Sequence, residues 1–322
     1  MPLNPGSAHI DAALTDISVA YKQDADAFKA EQIFPVVSVS KQSDKYYTFD
    51  KAAWLRSEAG LLAPGAETRG ANFTLSNSSY YCDVIGVHMD VSDQLRGNAD
   101  EALEIDTSAT EYVTEQILLK REVDCFSMVF EASAWTGSST GNDLTGGAQF
   151  TLWSTVSSTP VADVNLQSES IKKNTGRTPN TLVLGRDVFT VLNKNTDILD
   201  RIRYTERGVV TEDLLAGLFG VDRVIVADAT RNTAAEGATT SMSFVASDKA
   251  WLGYVAPSPG LMTPSAGYMF AWTGLQGVSA GGVQIQKMRM DTRFSDRVAG
   301  ITSYDFVRTG GDFGAFFTNC IA

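Results

Sequence analysis

Residues 18–65 read SVAYKQDADAFKAEQIFPVVSVSKQSDKYYTFDKAAWLRSEAGLLAPG. Pro35 stops a polar, Ala-rich arm, and Val36 to Phe49 then predicts one long extended strand. Trp54, Leu55, Leu61 and Leu62 follow inside a charged loop ended by Pro64 and Gly65. A lone globule gains little by projecting four large apolar side chains on a loop, and contiguous exposed apolar surface usually marks a covering partner. The first third of the chain therefore reads as built to embrace neighbouring copies rather than to hold a substrate.

The rest of the composition allows that reading. A chain of 322 residues, 43% of them apolar, can bury a sizeable core in one elaborate domain or two or three subdomains. A net charge of −12 argues against a surface that binds nucleic acid by neutralising phosphates, though not against a shell that surrounds DNA. Cys82, Cys125 and Cys320 are odd in number and widely spaced, which fits a reduced cytosolic compartment and small buried thiols. The start of the chain has no basic and apolar segment of the signal-peptide kind, and no apolar run approaches the ~20 residues of a membrane span.

Along the chain, Ile10, Leu14, Ile17 and Tyr21 fall at helical spacing in an arm expected to have little stability of its own. Phe73–Tyr81 and Tyr80–Val91 read as strands. Residues 98–136 contain neither Gly nor Pro, and Ile105, Ala109, Tyr112, Leu119, Val123, Phe126 and Phe130 predict one apolar stripe along a rod of about thirty residues. Trp135–Thr159 is rich in Gly, Ser and Thr and reads as a loop or insertion. Helices are expected over Val161–Asn174, Arg186–Leu192 and Glu212–Leu218, the last capped by Thr211. Strands are expected over Leu182–Leu184, Val221–Ala227, Met242–Val255, Val283–Phe294 and Val298–Val307, the last two returning to pack beside the long helix. The mixture is an α+β fold.

Residues that could carry chemistry do not converge. The two histidines, His9 and His88, lack a Ser or Cys elbow nearby, and the cysteines lack metal-ligand spacing. Gly141 and Gly146 are spaced as in a phosphate loop, but Gly147-Ala148 stand where Lys-Ser/Thr is required. Asp312-Phe313-Gly314 has no kinase context. No catalytic residue, cofactor or metal is therefore expected. Charges of both signs cluster instead at Lys51, Arg56, Glu58, Glu67 and Arg69, and again at Asp200, Arg201, Arg203, Glu206 and Arg207. Mixed clusters suit contacts between identical copies; they also suit plain solubility, and sequence alone does not separate the two.

Two ordered blocks add a resemblance. One runs through Ser18-Val19-Ala20-Tyr21, Ile33-Phe34-Pro35-Val36-Val37, Lys41 to Tyr46, Arg56-Ser57-Glu58-Ala59 and Ala63-Pro64-Gly65. The other runs through Thr178 to Gly185, Ile198 to Thr205, Val210 to Ala216, Leu218-Phe219 and Val221 to Ala229. Together they resemble the major capsid proteins of tailed phages, which share the HK-ninety-seven-type capsid fold. The resemblance implies an N-terminal arm (1–35), an extended loop over an adjacent subunit (36–80), and a peripheral domain with a long spine helix (81–155) and return strands (283–310). It also implies an axial domain (156–282) near the hexamer or pentamer centre and a C-terminal segment (311–322). The implied role is a structural subunit, not an enzyme, made in the host cytoplasm and located in the virion. Its copies assemble as hexamers and pentamers into an icosahedral head that encloses double-stranded DNA without sequence-specific binding.

Further implied partners are a portal at one vertex and, because the arm begins almost at Met1, a separate scaffolding protein; the sequence leaves a decoration protein open, and no membrane is involved. Inter-subunit contact is expected at Trp54, Leu55, Arg56, Glu58, Leu61, Leu62, Glu67, Arg69, Arg201, Arg203, Glu206 and Arg207, with no covalent cross-links between copies. Two rivals stand beside this reading: an encapsulin-like nanocompartment shell with enzyme cargo, and an acidic cytosolic enzyme.

Overall fold

The computed structural model describes residues 23–98, 105–202, 210–274 and 281–322. The helical spacing proposed for Ile10 to Tyr21 lies outside the described residues, as do His9, Arg203, Glu206 and Arg207.

Two sheets and one long helix organise the chain. The first sheet contains β1 (Val36–Val39), β4 (Asp83–Ser92), β11 (Gly267–Trp272), β12 (Gln284–Met290) and β13 (Ser295–Arg308). β13 runs antiparallel to β4, β11 and β12, while β1 runs parallel to β11, with Val36 opposite Met269. The second sheet has the order β5 (Leu144–Thr145), β14 (Gly314–Thr318), β10 (Ala250–Gly253), β6 (Thr181–Gly185), β7 (Arg223–Ala227). Every residue of β6 is buried, because the sheet is covered on both faces and its strands need not alternate. Leu182 and Leu184 face a core built with the helices Pro160–Thr175, Arg186–Leu192, Thr196–Ile202 and Glu212–Phe219. Val183 faces the other way, toward Phe34, Phe126, Trp135 and Trp251.

The long helix spans Ile105–Val129, 25 residues, or about 37 Å at 1.5 Å per residue. It lies on the first sheet and drives its C-terminal end, Cys125 to Phe130, into the core shared with the second. The contact with β13 is close: a β-carbon added at Gly300 would sit 2.5 Å from Val113 Cγ1 and 2.6 Å from Ile117 Cδ1. Trp135, immediately beyond the helix, donates its indole N–H to the Val129 carbonyl at 2.7 Å and so closes the last turn.

The buried stripe differs from the predicted one. It runs Ala109, Val113, Ile117, Arg121, Cys125, Val129 in steps of four, with Glu122 and Phe126 beside it. Tyr112 is 53% exposed, and Val123 and Leu119 are half-buried. Two buried charged residues, Arg121 and Glu122, interrupt the stripe and hide it from the sequence pattern. Arg121 pairs with Glu31 at 2.5 Å and donates to the Gly281 carbonyl.

Glu122, fully buried, accepts the backbone N–H groups of Lys29 (2.9 Å) and Ala30 (2.8 Å) at the start of the short helix Ala30–Ile33. Burial pushes its carboxyl up to about 7, against the pull of those two donors. At the other end of that helix Arg223 donates to the carbonyls of Gln32 (2.7 Å) and Ile33 (3.0 Å). Gln23 exchanges two hydrogen bonds with Thr230, at 2.8 and 2.9 Å. The described part of the arm, expected to have little stability of its own, is fastened to the rest of the chain at three points, with Ile33 and Phe34 fully buried.

Other expectations divide. The helices Pro160–Thr175, Arg186–Leu192 and Glu212–Phe219 lie where the sequence places them; Gly176 closes the first in a left-handed conformation (φ 72°), and Thr211 caps the third through its hydroxyl. The strand expected over 36–49 is broken at Ser40–Gln42 into β1 and β2 (Ser43–Phe49), and β2 pairs with β3 (Leu75–Tyr81) as a separate ribbon. Met242–Val255 is two strands: β9 (Met242–Phe244) pairs with β8 (Thr230–Asn232), and β10 lies at the centre of the second sheet. The stretch 135–159 is mostly irregular but is no surface insertion, since Trp135 and Trp153 are fully buried. The sequence pattern does not anticipate β11, β14 or the helix Thr196–Ile202. The three cysteines are buried and unpaired, as expected.

Candidate assembly surface

The β2–β3 ribbon leaves the first sheet from β1 on one leg and enters β4 on the other, and the connection between its strands is the apolar loop. The loop opens with one helical turn, Lys51–Trp54, which Asp50 caps by accepting the Ala52 N–H at 3.0 Å. Trp54 rests on Phe73 (ring centroids 5.7 Å apart) and Phe49 (6.2 Å), and these two also touch each other (6.0 Å). Packed aromatic pairs of this kind hold ring orientation beyond simple area burial. Trp54 nonetheless stays 55% exposed, Leu55 and Leu62 are exposed to a similar degree, and Leu61 is fully exposed. The chain alone therefore leaves all four apolar residues singled out in the sequence in water. Tyr47, Phe73 and Leu75 on the ribbon add exposed apolar surface that the sequence reading missed. Their signal was available as large residues in both predicted strands, but nothing in the pattern says that only the base of the ribbon is covered, where Tyr80 and Tyr46 pack on Phe270.

The charged residues of the loop are lightly partnered. Arg56 meets Glu58 at 3.4 Å, and Glu67 and Arg69 are exposed. An exposed pair of this kind is worth only ~0–1 kcal/mol. At the loop's base Lys51 pairs with Asp312, which also accepts the Thr136 hydroxyl. Burial alone would raise the Asp312 carboxyl, but these two partners hold it below the usual carboxylate range. Arg201 pairs with Asp197 at 3.0 Å on the helix Thr196–Ile202, far along the chain from the loop.

Nothing among the described residues assembles a reaction centre. No group of three or more metal-ligating side chains occurs among them. His88 is exposed on β4, and Asp312 is taken up by Lys51 and Thr136. No described helix is long and apolar enough to cross a membrane.

No family model matches the chain. It is, however, 26% identical to the major capsid protein of Pseudomonas phage JBD67, with 97% of each chain covered. It is 26% identical over 225 residues to the major capsid protein of Burkholderia phage BcepMu, covering 68% of this chain and 69% of that one. The chain is a homologue of phage major capsid proteins.

Solved structures agree on the capsid fold. A phage-related protein from Bordetella bronchiseptica RB50 superposes with a TM-score of 0.67 at 21% identity, covering 92% of this chain and 94% of that chain. The capsid of cyanophage P-SCSP1u gives 0.62 at 11% identity, covering 95% and 91%. The SrpI encapsulin of Synechococcus elongatus PCC 7942 gives 0.56 at 11% identity, covering 97% and 96%. At these identities the structures speak to fold alone. Both curated relatives are shell proteins by name, in line with a structural rather than enzymatic role for the capsid homologue.

Proposed function

We propose that this structural capsid subunit builds a phage head by gripping its neighbours with the ribbon and loop of residues 36–80. The observation that supports the capsid role is sequence likeness to a major capsid protein along 97% of both chains. What favours the loop as the gripping device is its chemistry. Four large apolar side chains stand in water on a rigid two-stranded support, with Trp54 oriented by Phe49 and Phe73. Burying such an aromatic in a partner's pocket is how a few residues come to dominate contact energy.

In this reading residues 1–35 are the arm, 81–155 with 283–310 the peripheral domain, 156–282 the axial domain near the hexamer or pentamer centre, and 311–322 the C-terminal segment. Arg56, Glu58, Glu67, Arg69 and Arg201, with Arg203, Glu206 and Arg207, supply mixed-sign contacts to adjacent copies. The shell encloses double-stranded DNA without reading it, as a chain of net charge −12 suits. A scaffolding protein and a portal are the further partners of assembly.

Replacing Ala52–Ala66 with a short Gly-Ser linker tests the grip. Circular dichroism should report a folded, soluble subunit, and electron microscopy of the same preparation should find no closed shells. Normal shells from the linker variant would end the loop assignment. An unfolded variant would show that the loop, through Lys51 and its neighbours, belongs to its own subunit's core. The encapsulin reading rests on fold alone; purified particles that carry enzyme cargo and no DNA would favour it.

A further inference from the structure

Beside the C-terminal end of the long helix lies a cavity of about 500 Å³, within the size range of small-molecule pockets. One wall is helical. Val123, Phe126, Ser127 and Phe130 line it, at offsets of three, four and seven residues that put them on one face. Phe126 and Phe130, both buried, stack with ring centroids 5.6 Å apart and stiffen this wall. The opposite wall is the β8–β9 hairpin and the bend that follows it at 245–249. Val123, Phe244 and Val245 are only half-buried, so each still offers apolar surface to the space.

The polar part of the lining has spent its acceptors and kept its donors. The carbonyls of Ala246, Ser247, Asp248 and Lys249 accept the N–H groups of Arg186 (3.2 Å), Val188 (3.3 Å), Cys320 (2.9 Å) and Gly185 (2.8 Å). Among the described residues, none of the four N–H groups of this bend has an acceptor. Arg231 on β8, directly opposite Ser243 on β9, adds to the surplus, because its Nε is buried and meets no acceptor either. A buried donor left without a partner costs free energy, and folded chains keep few of them. Neither Arg231 nor Lys249 forms an ion pair among the described residues, and Asp248 is the one acid in the lining. Two cations against one carboxylate give this cavity a charge of +1 on a chain that carries −12.

We propose that this cavity binds a small monocarboxylic acid with an aromatic or aliphatic body. The carboxylate lies against Arg231, Lys249 and the bend, and the body lies against Val123, Phe244 and Val245. The surplus of donors selects an anion, and charge-assisted bonds to a guanidinium are the strong kind. A lining of +1 suits one negative charge better than the two of a phosphate monoester. The apolar wall asks for a hydrocarbon body, which a bare inorganic ion lacks. A peptide fits less well, because its own N–H groups would need acceptors that the bend has already spent.

Isothermal titration calorimetry of the full chain with phenylbutyrate and with its neutral amide tests this. The acid should bind with a dissociation constant of about 0.1–1 mM, and the amide about tenfold more weakly or worse. Arg231→Gln and Lys249→Gln should each weaken the acid about tenfold. Both should keep the wild-type melting midpoint, since neither side chain has an ion-pair partner to lose. Ser127→Phe should abolish binding by filling the space; the Ser127 hydroxyl bonds only back to the Asp124 carbonyl of its own helix, so the fold should tolerate the change. No binding of phenylbutyrate at about 10 mM would overturn the proposal. Equal affinity for acid and amide would overturn it too, and that comparison needs no variant. So would acetate that binds as tightly as phenylbutyrate, since the apolar wall would then play no part. A peptide ending in phenylalanine that binds more tightly than phenylbutyrate would overturn it in favour of another chain as the occupant.

Discussion

Gly300 is the point where the long helix touches the sheet most closely, and Gly300→Ala measures how firmly the two are pressed together. The new methyl would lie 2.5 Å from Val113 Cγ1, 2.6 Å from Ile117 Cδ1 and 3.3 Å from Ile285 Cδ1. Carbon atoms rest ~3.5–4.0 Å apart, so two of the contacts overlap by about 1 Å. Val113 is fully buried on the helix, and β-branched side chains are stiff at χ1, so relief comes mainly from lifting the helix off the strand. Overpacking of this kind costs about 1–3 kcal/mol. An alanine that fitted would instead stabilise by ~0.4–1 kcal/mol through the unfolded chain. The net expectation is a loss of about 1–2 kcal/mol, read as a fall of roughly 0.5 M in urea midpoint at an m-value of ~3 kcal/mol/M.

Val113→Ala alone should cost about 2 kcal/mol in lost burial and cavity. The double variant should lose clearly less than the two single losses summed, because the methyl added at Gly300 enters the space that the valine vacates and then overlaps only Ile117 Cδ1, the end of a flexible side chain. That is a coupling of at least ~1 kcal/mol in a double-mutant cycle. The assay is urea unfolding of dissociated subunits followed by circular dichroism, with equal m-values required. A harmless Gly300→Ala, or two losses that simply add, would refute the close approach of helix and strand.

Phe126→Ala should destabilise the subunit by about 3–5 kcal/mol, because Phe126 is buried and stacked on Phe130 with ring centroids 5.6 Å apart; an unchanged melting midpoint would contradict that packing. Glu122 binds its proton more tightly folded than unfolded, so its contribution to stability is fully present below pH 4.5 and is lost as pH rises through about 7. The loss amounts to about 3 kcal/mol. Glu122→Gln should flatten this part of the pH profile, and identical slopes in urea titrations between pH 4.5 and 8 would show that the carboxyl does not titrate there. Arg223→Ala should strip the carbonyls of Gln32 and Ile33 of their donors and loosen the arm; hydrogen exchange at residues 30–34 that matches wild type would speak against this.

The readable parts of the fold are those whose cause is local. Pro160 and Gly176 bracket one helix, Thr211 and Gly220 another, and both are stated in the chemistry of single residues. The apolar loop was legible because Trp54, Leu55, Leu61 and Leu62 conflict with their polar neighbours. The helix stripe was only partly legible. Arg121 and Glu122 look like surface residues until the arm is laid across them, and Tyr112 looks like core until nothing covers it. β11 and β14 escaped notice because each fills a sheet whose other strands lie far away in sequence, a fact of long-range pairing rather than of local pattern.

The break at Ser40–Gln42 has its counterpart on the other leg, where Cys82 interrupts the run from β3 into β4. Gln42 and Cys82 face each other across this gap. The Cys82 N–H donates to the Gln42 carbonyl at 2.9 Å, and the Gln42 side chain donates to the Cys82 carbonyl at 3.0 Å. Both legs are thus interrupted at one level and clasped there, with an unbroken ladder on either side. Just beyond the clasp Tyr80 stacks on Phe270 of the first sheet, with ring centroids 4.5 Å apart, and the Tyr81 N–H donates to Asp305 at 3.0 Å. Mechanically this is a bracket: the direction in which the ribbon leaves the sheet is set inside one subunit, before any neighbour arrives.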